Sequence, residues 1–236
     1  DQRAEADNAC QPGIGLTEEM NLSNDEIASA YFRLGWLYQG PMEDPAQAIA
    51  AYDRAIALAP ERALYFYNRG TAYLKANDFE RAIADYDQAL ALDPANDYAV
   101  YNRGNAYLRL GQLEQAIADY RQAIALSPDY AKAHNNLCWA GALAGQAEEV
   151  SAICDQAVSL ADEADLGGVR DSRGVVRAIT GDLAGAIEDF EAYIAWLKEY
   201  DRYVAGANGR EAWLAALKAG QNPFDEDLLE ELAGGN

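Results

Sequence analysis

The feature that most constrains the fold is an internal repeat of 34 residues. Segments 67–94 and 101–128 align without a gap at this spacing, and both begin with Tyr-Asn-Arg-Gly and end with proline. A unit this short cannot bury its apolar residues alone, so neighbouring units have to stack to form a core. The sequence therefore predicts an array of repeated units.

The same pattern continues in both directions along the chain, in a weaker form. It places small, aromatic and alanine residues at matching positions of three more units. These are Gly35, Tyr38, Ala48, Tyr52, Ala55 and Pro60 upstream, then Cys138, Gly141, Val150, Cys154 and Ala157, and finally Gly174, Arg177, Ala186, Phe190 and Tyr193. The predicted units are about 27–61, 63–96, 97–130, 131–164 and 167–203.

Within each unit, apolar residues recur at helical spacing in two stretches, as at Ile83, Tyr86 and Leu90. Short turns separate the stretches. Proline ends the second stretch, as at Pro94, because the residue before a proline disfavours the helical conformation. Each unit is therefore predicted to be a hairpin of two antiparallel helices, brought close together by small residues such as Gly70.

These positions resemble the tetratricopeptide repeat family, whose repeat has a small residue at position 8, Tyr at 11, Ala at 20, an aromatic residue at 24 and Pro at 32. The resemblance implies an all-α, right-handed α-solenoid of about five hairpins, forming one continuous domain over residues 23–203. It also implies that first helices line a concave surface. Segments 135–141, 170–197 and 222–224 are similar to a bacterial subgroup that is often exported or appended to other domains.

The two ends of the chain do not follow the repeat. Residues 1–22 lack periodicity and are predicted to be an irregular arm. Residues 204–236 are predicted to be C-terminal capping helices and a tail, because terminal repeats need a cover. We expect a long second helix over 183–203, a break at Asn208-Gly209, a helix at about 210–219 and an acidic helix at 225–232.

The sequence offers little for catalysis. It has no glycine-rich phosphate loop and no EF-hand spacing. Three cysteines and one histidine do not make a tetrahedral zinc site. The histidine, His134, falls at a repeat position that is large and buried in the family, so a core residue is favoured over a catalytic base. We predict no enzyme activity, no metal and no cofactor.

Charge and hydropathy exclude two classes of partner. The formal net charge is −21, with a pI near 4.2. This field repels polyanions, so nucleic acid is not an expected partner. No run of eighteen apolar residues occurs, so the sequence predicts no membrane span.

Cys138 and Cys154 occupy positions 8 and 24 of one repeat, on facing sides of the same hairpin. In an oxidising compartment they would form a disulfide worth about 3 kcal/mol, and the alternative is two buried free thiols. The start at Asp1 fits a cleaved export signal or a trimmed chain. Cys10 has no partner, which argues against export. An exported location, periplasmic or extracellular, is favoured over the cytoplasm.

Charges divide unevenly between the two kinds of helix. The predicted first helices contain nine basic residues and one acidic residue, whereas the second helices contain five basic and fourteen acidic residues. This division predicts a relatively positive inner wall. The alternative is that Arg69, Arg103 and Arg173, which share one repeat position, serve packing between repeats.

The family's groove positions fall on aromatic, amide and cationic residues. Such a surface suits an acidic or carboxylate-bearing peptide. Of the five positions of the family's carboxylate clamp (Tyr67, Thr71, Asn102, Lys132 and Asn136), only Asn102 and Lys132 have the expected type, so chaperone-tail binding is not predicted. The candidate groove residues are Phe32, Trp36, Tyr67, Thr71, Lys75, Tyr98, Tyr101, Asn105, Arg109, Lys132, Asn135 and Trp139.

The sequence therefore predicts a non-enzymatic scaffold or adaptor that binds a peptide or partner segment in its concave groove. Two alternatives stay open. One is a self-assembly module that forms a homo-oligomer through its arm or its C-terminal helix. The other is a regulatory segment of a larger enzyme.

Overall fold

The computed structural model describes residues 23–200 and 203–234, with side chains omitted for 203–208. All regular structure in these ranges is helical, as predicted. The helices group into two compact units, one ending at Ala106 and the other beginning at Tyr107, so the division falls inside α5. The helices are α1 Asn24–Gln39, α2 Pro45–Leu58, α3 Ala63–Lys75, α4 Phe79–Leu92, α5 Asp97–Arg109, α6 Leu113–Leu126, α7 Ala131–Leu143, α8 Ala147–Leu160, α9 Leu166–Ile179, α10 Leu183–Glu199, α11 Tyr203–Lys218 and α12 Glu226–Ala233.

Polar side chains mark where several helices begin. Ser23 caps α1 in a capping box with Glu26, in which each side chain bonds to the backbone of the other residue. Asp78 and Asp182 cap α4 and α10 by accepting hydrogen bonds from backbone amides three residues later. These bonds satisfy amides that have no partner inside the helix.

In the first unit, α1 pairs with α2 and α3 pairs with α4, while α3 also packs on α2. The pairs approach closely because a ring fills the space beside a glycine. A Cβ atom at Gly35 would lie 2.5 Å from Cε1 of Tyr52, and one at Gly70 would lie 3.0 Å from Cε1 of Tyr86. Both rings are fully buried. The recurring glycine and aromatic residue therefore set the spacing of each hairpin.

In the second unit, α7 pairs with α8, α9 pairs with α10, and α11 covers α10. Trp213 of α11 lies 6.0 Å from Phe190 between ring centroids, and Phe224 lies 4.8 Å from Trp213. All three side chains are buried. This cluster caps the last hairpin with apolar contacts.

Two details of the predicted C-terminal region are wrong. The helix that begins at Leu183 ends at Glu199 rather than at 203. The next helix runs from Tyr203 to Lys218 through Asn208-Gly209, where the sequence predicts a break. The predicted arm at 1–22, including Cys10, lies outside the described residues.

In the second unit, a disulfide joins Cys138 of α7 to Cys154 of α8, with 5.1 Å between the two Cα atoms. Both residues are buried. They stand at the repeat positions where other hairpins place a glycine against a ring. The bond therefore replaces the usual ring contact of a hairpin. Among the described helices, none has the length and hydropathy needed to cross a membrane.

Candidate functional site

Several arginines of the first helices form ion pairs with aspartates of the second helices. Nε and Nη2 of Arg69 donate to the two carboxylate oxygens of Asp85 at 2.8 and 2.6 Å, and its Nη1 donates to Asp53 at 2.6 Å. Arg173 repeats this arrangement, with the same two distances to Asp189. The hydrogen bonds to Asp85 raise the pKa of the Arg69 guanidinium.

The predicted positive inner wall is therefore wrong for these residues. Arg103 donates to Asp87 at 2.6 Å, and Arg177 donates to Asp189 at 3.0 Å. Together with Arg69 and Arg173, they form ion pairs with aspartates of the same repeat or of the preceding one. The alternative interpretation, a role in packing, matches the observed contacts.

The sequence carries a signal for these pairs that charge counting does not reveal. Repeat positions 7 and 23 change together along the chain. Three repeats have arginine and aspartate there, and two have apolar residues, so arginine at position 7 is always accompanied by aspartate at position 23. The five pairs are Leu34/Ala51, Arg69/Asp85, Arg103/Asp119, Leu137/Ile153 and Arg173/Asp189.

A different set of side chains on the first unit faces solvent. Trp36 and Tyr98 are each 57% exposed, and Leu64 is 51% exposed. They are the three most exposed large apolar residues in the described part of the chain, and they lie on α1, α5 and α3. We call this surface the first-helix face; it comprises Trp36, Leu64, Tyr67, Thr71, Lys75, Tyr98, Asn102 and Asn105.

A polar network connects α3 and α5 on the first-helix face. The hydroxyl of Thr71 donates to the carbonyl oxygen of Tyr67 at 2.9 Å and accepts from the hydroxyl of Tyr86 at 3.3 Å. The amide of Asn102 donates to the hydroxyl of Tyr67 at 3.4 Å, and the amide of Asn105 donates to Asn102 at 3.5 Å. Burial raises the pKa of the Tyr67 hydroxyl, which keeps it neutral. These groups give the face both donors and acceptors.

Lys75 supplies a positive charge at one end of the first-helix face. Its Nζ donates to the carbonyl oxygen of Gln39 at 3.2 Å, which ties the end of α3 to the end of α1. The carbonyl is neutral, so this bond does not cancel the charge. The face thus combines large apolar side chains, amides and a cation.

The comparisons with known proteins agree with this architecture. A family model described as "TPR repeat" matches residues 71–111 and 104–138, and one described as "Tetratricopeptide repeat" matches residues 28–62. The chain belongs to the tetratricopeptide repeat family.

Solved tetratricopeptide repeat structures share the fold at low sequence identity. MamA 41-end from Desulfovibrio magneticus RS-1 superposes with a TM-score of 0.67 and is 21% identical, over 74% of this chain and 97% of that one. YrrB superposes with a TM-score of 0.65 and is 19% identical, over 81% of this chain and 95% of that one. No curated protein matches the sequence significantly. These likenesses establish the fold only.

The remaining predicted groove residues divide between core and surface. Phe32 packs between its own hairpin and the next one, with its ring centroid 5.8 Å from that of Tyr52 in α2 and 5.0 Å from that of Tyr65 in α3, so its main contacts are in the core rather than with solvent. Tyr101 is half-buried. The second unit contains the rest of the predicted residues: Arg109 and Lys132 are exposed, Lys132 lies 3.6 Å from Asp165, and Asn135 and Trp139 are half-buried.

Three other features of this tetratricopeptide repeat protein concern its histidine, metal binding and a cavity. His134 is fully buried, and its Nδ1 lies 3.0 Å from the carbonyl oxygen of Tyr130. Within residues 23–200 and 203–234, no group of three or more metal-ligating side chains is close enough to hold an ion. A cavity of about 320 Å³ opens between α1 and α2, lined by Tyr31, Leu34, Tyr38, Gln47, Ala50, Ala51 and Arg54.

Proposed function

We propose that the chain is an adaptor that binds an extended or helical segment of a partner protein on the first-helix face of the first unit. Tetratricopeptide repeat proteins are protein-interaction scaffolds. In this chain, the first-helix face of the first unit is the surface that binds. The single observation that carries it is the exposure of Trp36, Leu64 and Tyr98 on neighbouring first helices.

Exposed large apolar side chains favour binding because they leave water when a partner covers them. Tryptophan and tyrosine are also the residues that most often contribute strongly to protein interfaces. The amides of Asn102 and Asn105 lie beside them and suit the polar groups of a peptide backbone. Lys75 favours a carboxylate in the partner segment.

One protein of the same fold gives limited support. The YrrB structure is described as "a TPR protein with an unusual peptide-binding site". At 19% identity this description does not transfer residue by residue. It supports peptide binding as a use of the fold, and the residues of the site come from this chain alone.

The experiment is a selection of peptides from a random library on the immobilised full chain, followed by fluorescence anisotropy with the selected peptide. The double variant Trp36→Ala/Tyr98→Ala should lower the affinity at least about 30-fold, because two residues of this kind contribute about 2 kcal/mol or more. Both side chains are more than half exposed, so the helicity should not change.

The matched control is Leu92→Ala with Leu126→Ala, which removes exposed apolar side chains from second helices. Its affinity should stay within about 2-fold of the wild type. If the control loses binding while Trp36→Ala/Tyr98→Ala keeps it, the first-helix face is not the binding surface.

A further inference from the structure

The last helix, α12, lies against α7 of the same chain. The carbonyl oxygen of Ala233 comes within 3.8 Å of the position that a Cβ atom would take at Gly111, in the turn after α5. The helix is amphipathic. Its leucines and Ala233 are half-buried, whereas its four acidic residues are exposed. The apolar side of α12 therefore faces the protein.

Helical periodicity identifies the side of α7 that is not covered by other helices and is available to α12. The buried residues of α7 turn towards α6, α8 and α9, which pack on it. The residues that repeat at three- and four-residue spacing on the remaining side form a single stripe. We call this stripe the α7 face; it comprises Lys132, Asn136, Trp139 and Leu143.

A comparison between repeats supports α12 as the cover of the α7 face. Trp139 and Trp36 occupy the same position of their repeats. Trp36 is 57% exposed, whereas Trp139 is half-buried. The tryptophan on α7, the helix that α12 contacts, is thus the more protected of the two.

Few contacts keep α12 in place, although the segment before it is firmly attached to the second unit. The amide of Asn222 donates to the carbonyl oxygen of Ala178 at 2.8 Å, and Phe224 is buried. From Glu226 to Ala233, by contrast, no residue is buried. In the part of the chain that the structure describes, no side chain of α12 forms a hydrogen bond or ion pair with another helix. An element with so few contacts opens readily.

One group beside the α7 face favours a different occupant. Oδ1 of Asn135 is shielded from solvent and accepts no hydrogen bond from the described residues. The side chains of α12 are leucine, alanine and carboxylate, so none of them donates a hydrogen bond at neutral pH. A helix that brings a donor to Asn135 would gain a bond that α12 does not offer.

We propose that the α7 face is a docking surface for an amphipathic helix of a partner protein, with leucines at i, i+1 and i+4 and a hydrogen-bond donor on the same side. The chain's own α12 occupies this surface until such a helix displaces it. The inference rests on the proposed use of first helices for binding, but it concerns the second unit and does not involve Trp36 or Tyr98.

The test uses a fluorescent peptide with the sequence of residues 224–236 and full-length chains. In the variant Leu228→Asp/Leu232→Asp, α12 should leave the α7 face. We expect this variant to bind the peptide at least about 10-fold more tightly than the wild type, whose own helix competes at high effective concentration. Leu229→Asp, made separately, should act in the same direction. Circular dichroism verifies that each variant keeps its helicity.

The binding surface is tested in the released variant. Adding Trp139→Ala should weaken peptide binding at least about 10-fold, and Trp139→Phe should keep most of it. Adding Leu126→Ala, which removes an exposed side chain from a second helix, is the matched control and should leave binding unchanged. Adding Trp36→Ala in a separate variant tells whether the peptide binds the first-helix face instead. The two proposals can therefore fail separately.

Three outcomes would overturn the inference. One is equal affinity of the peptide for the wild type and both released variants. Another is loss of binding with Trp36→Ala but not with Trp139→Ala. The third is a concentration-dependent dimer of the wild type that Leu232→Asp abolishes, since α12 would then serve a second copy of the chain.

Discussion

Replacement of Arg69 by leucine tests whether the arginines of the first helices hold the repeats together. Arg69 bonds to Asp85 through two hydrogen bonds, and the side chains of the two residues are only 20% and 6% exposed. Arg69→Leu leaves the carboxylate of Asp85 buried without a countercharge. Removing one partner of a buried pair costs about 3–5 kcal/mol, and the partial exposure of Arg69 favours about 3.

The assay is urea denaturation followed by circular dichroism. At an m-value of about 2 kcal/mol per molar urea, a loss of 3 kcal/mol lowers the midpoint by about 1.5 M. The matched control is Arg62→Leu, because Arg62 pairs with Asp25 at 3.1 Å while the side chains are 52% and 61% exposed. That change should cost less than about 1 kcal/mol.

A second variant uses the apolar version of the same site. The first repeat has Leu34 and Ala51 at the positions of Arg69 and Asp85, and both are buried in one cluster. The double variant Arg69→Leu/Asp85→Ala should recover stability to within about 1 kcal/mol of the wild type, because no charge is left buried. The reasoning is refuted if Arg69→Leu costs no more than Arg62→Leu, or if the double variant recovers nothing.

Three further predictions concern stability. Reduction of the Cys138–Cys154 bond, which closes a sequence separation of 16 residues, should lower the free energy of unfolding by about 3 kcal/mol in urea denaturation, and an unchanged midpoint would contradict this. Phe224→Ala should destabilise the C-terminal cap by about 3 kcal/mol and lower the thermal midpoint of the protein, whereas no shift would mean that the cap is dispensable. Hydrogen bonds from Ser23 hold the pKa of Glu26 below its ordinary value. The ionised Glu26 therefore stabilises the folded chain at any pH above the ordinary pKa, and this stabilisation is lost as the pH falls through the lowered pKa. An NMR titration midpoint of Glu26 at or above about 4.3 would contradict this prediction.

Most of the fold follows from the sequence because the residues that recur in each repeat are the residues that form the core. Glycine against an aromatic ring, at Gly70 and Tyr86, appears in the sequence as two positions at constant spacing and in the structure as the contact of a hairpin. The C-terminal region was harder to predict. Asn208-Gly209 is typical of a break, but α11 continues through it, and its buried Trp213 lies against Phe190. Tertiary packing outweighs local preference there.

The candidate site could be predicted only in part. Repeat position indicates which residues lie on first helices, and Trp36 and Tyr98 are indeed exposed there. Position does not tell which way a long side chain turns. Arg69 and Arg173 reach the second helices through three extended methylene groups, so counting charges by helix places them on the wrong surface. The coupled change of arginine and aspartate between repeats was the available signal.

The contact of α12 with α7 could not be predicted from sequence. The segment's leucine spacing indicates an amphipathic helix, but many apolar surfaces could accept it. Its position depends on the preceding segment, where Asn222 and Phe224 are attached to the last hairpin. Contacts between segments far apart in sequence leave no periodic trace in a single chain.

The central claim is that a partner segment binds the first-helix face of the first unit. Hydrogen–deuterium exchange of the full chain, with and without the library-selected peptide, tests it most directly. We predict slower exchange in α1, α3 and α5 when the peptide is bound, with α2 and α4 unchanged. Protection of α2 and α4, with no change in the first helices, would contradict the account.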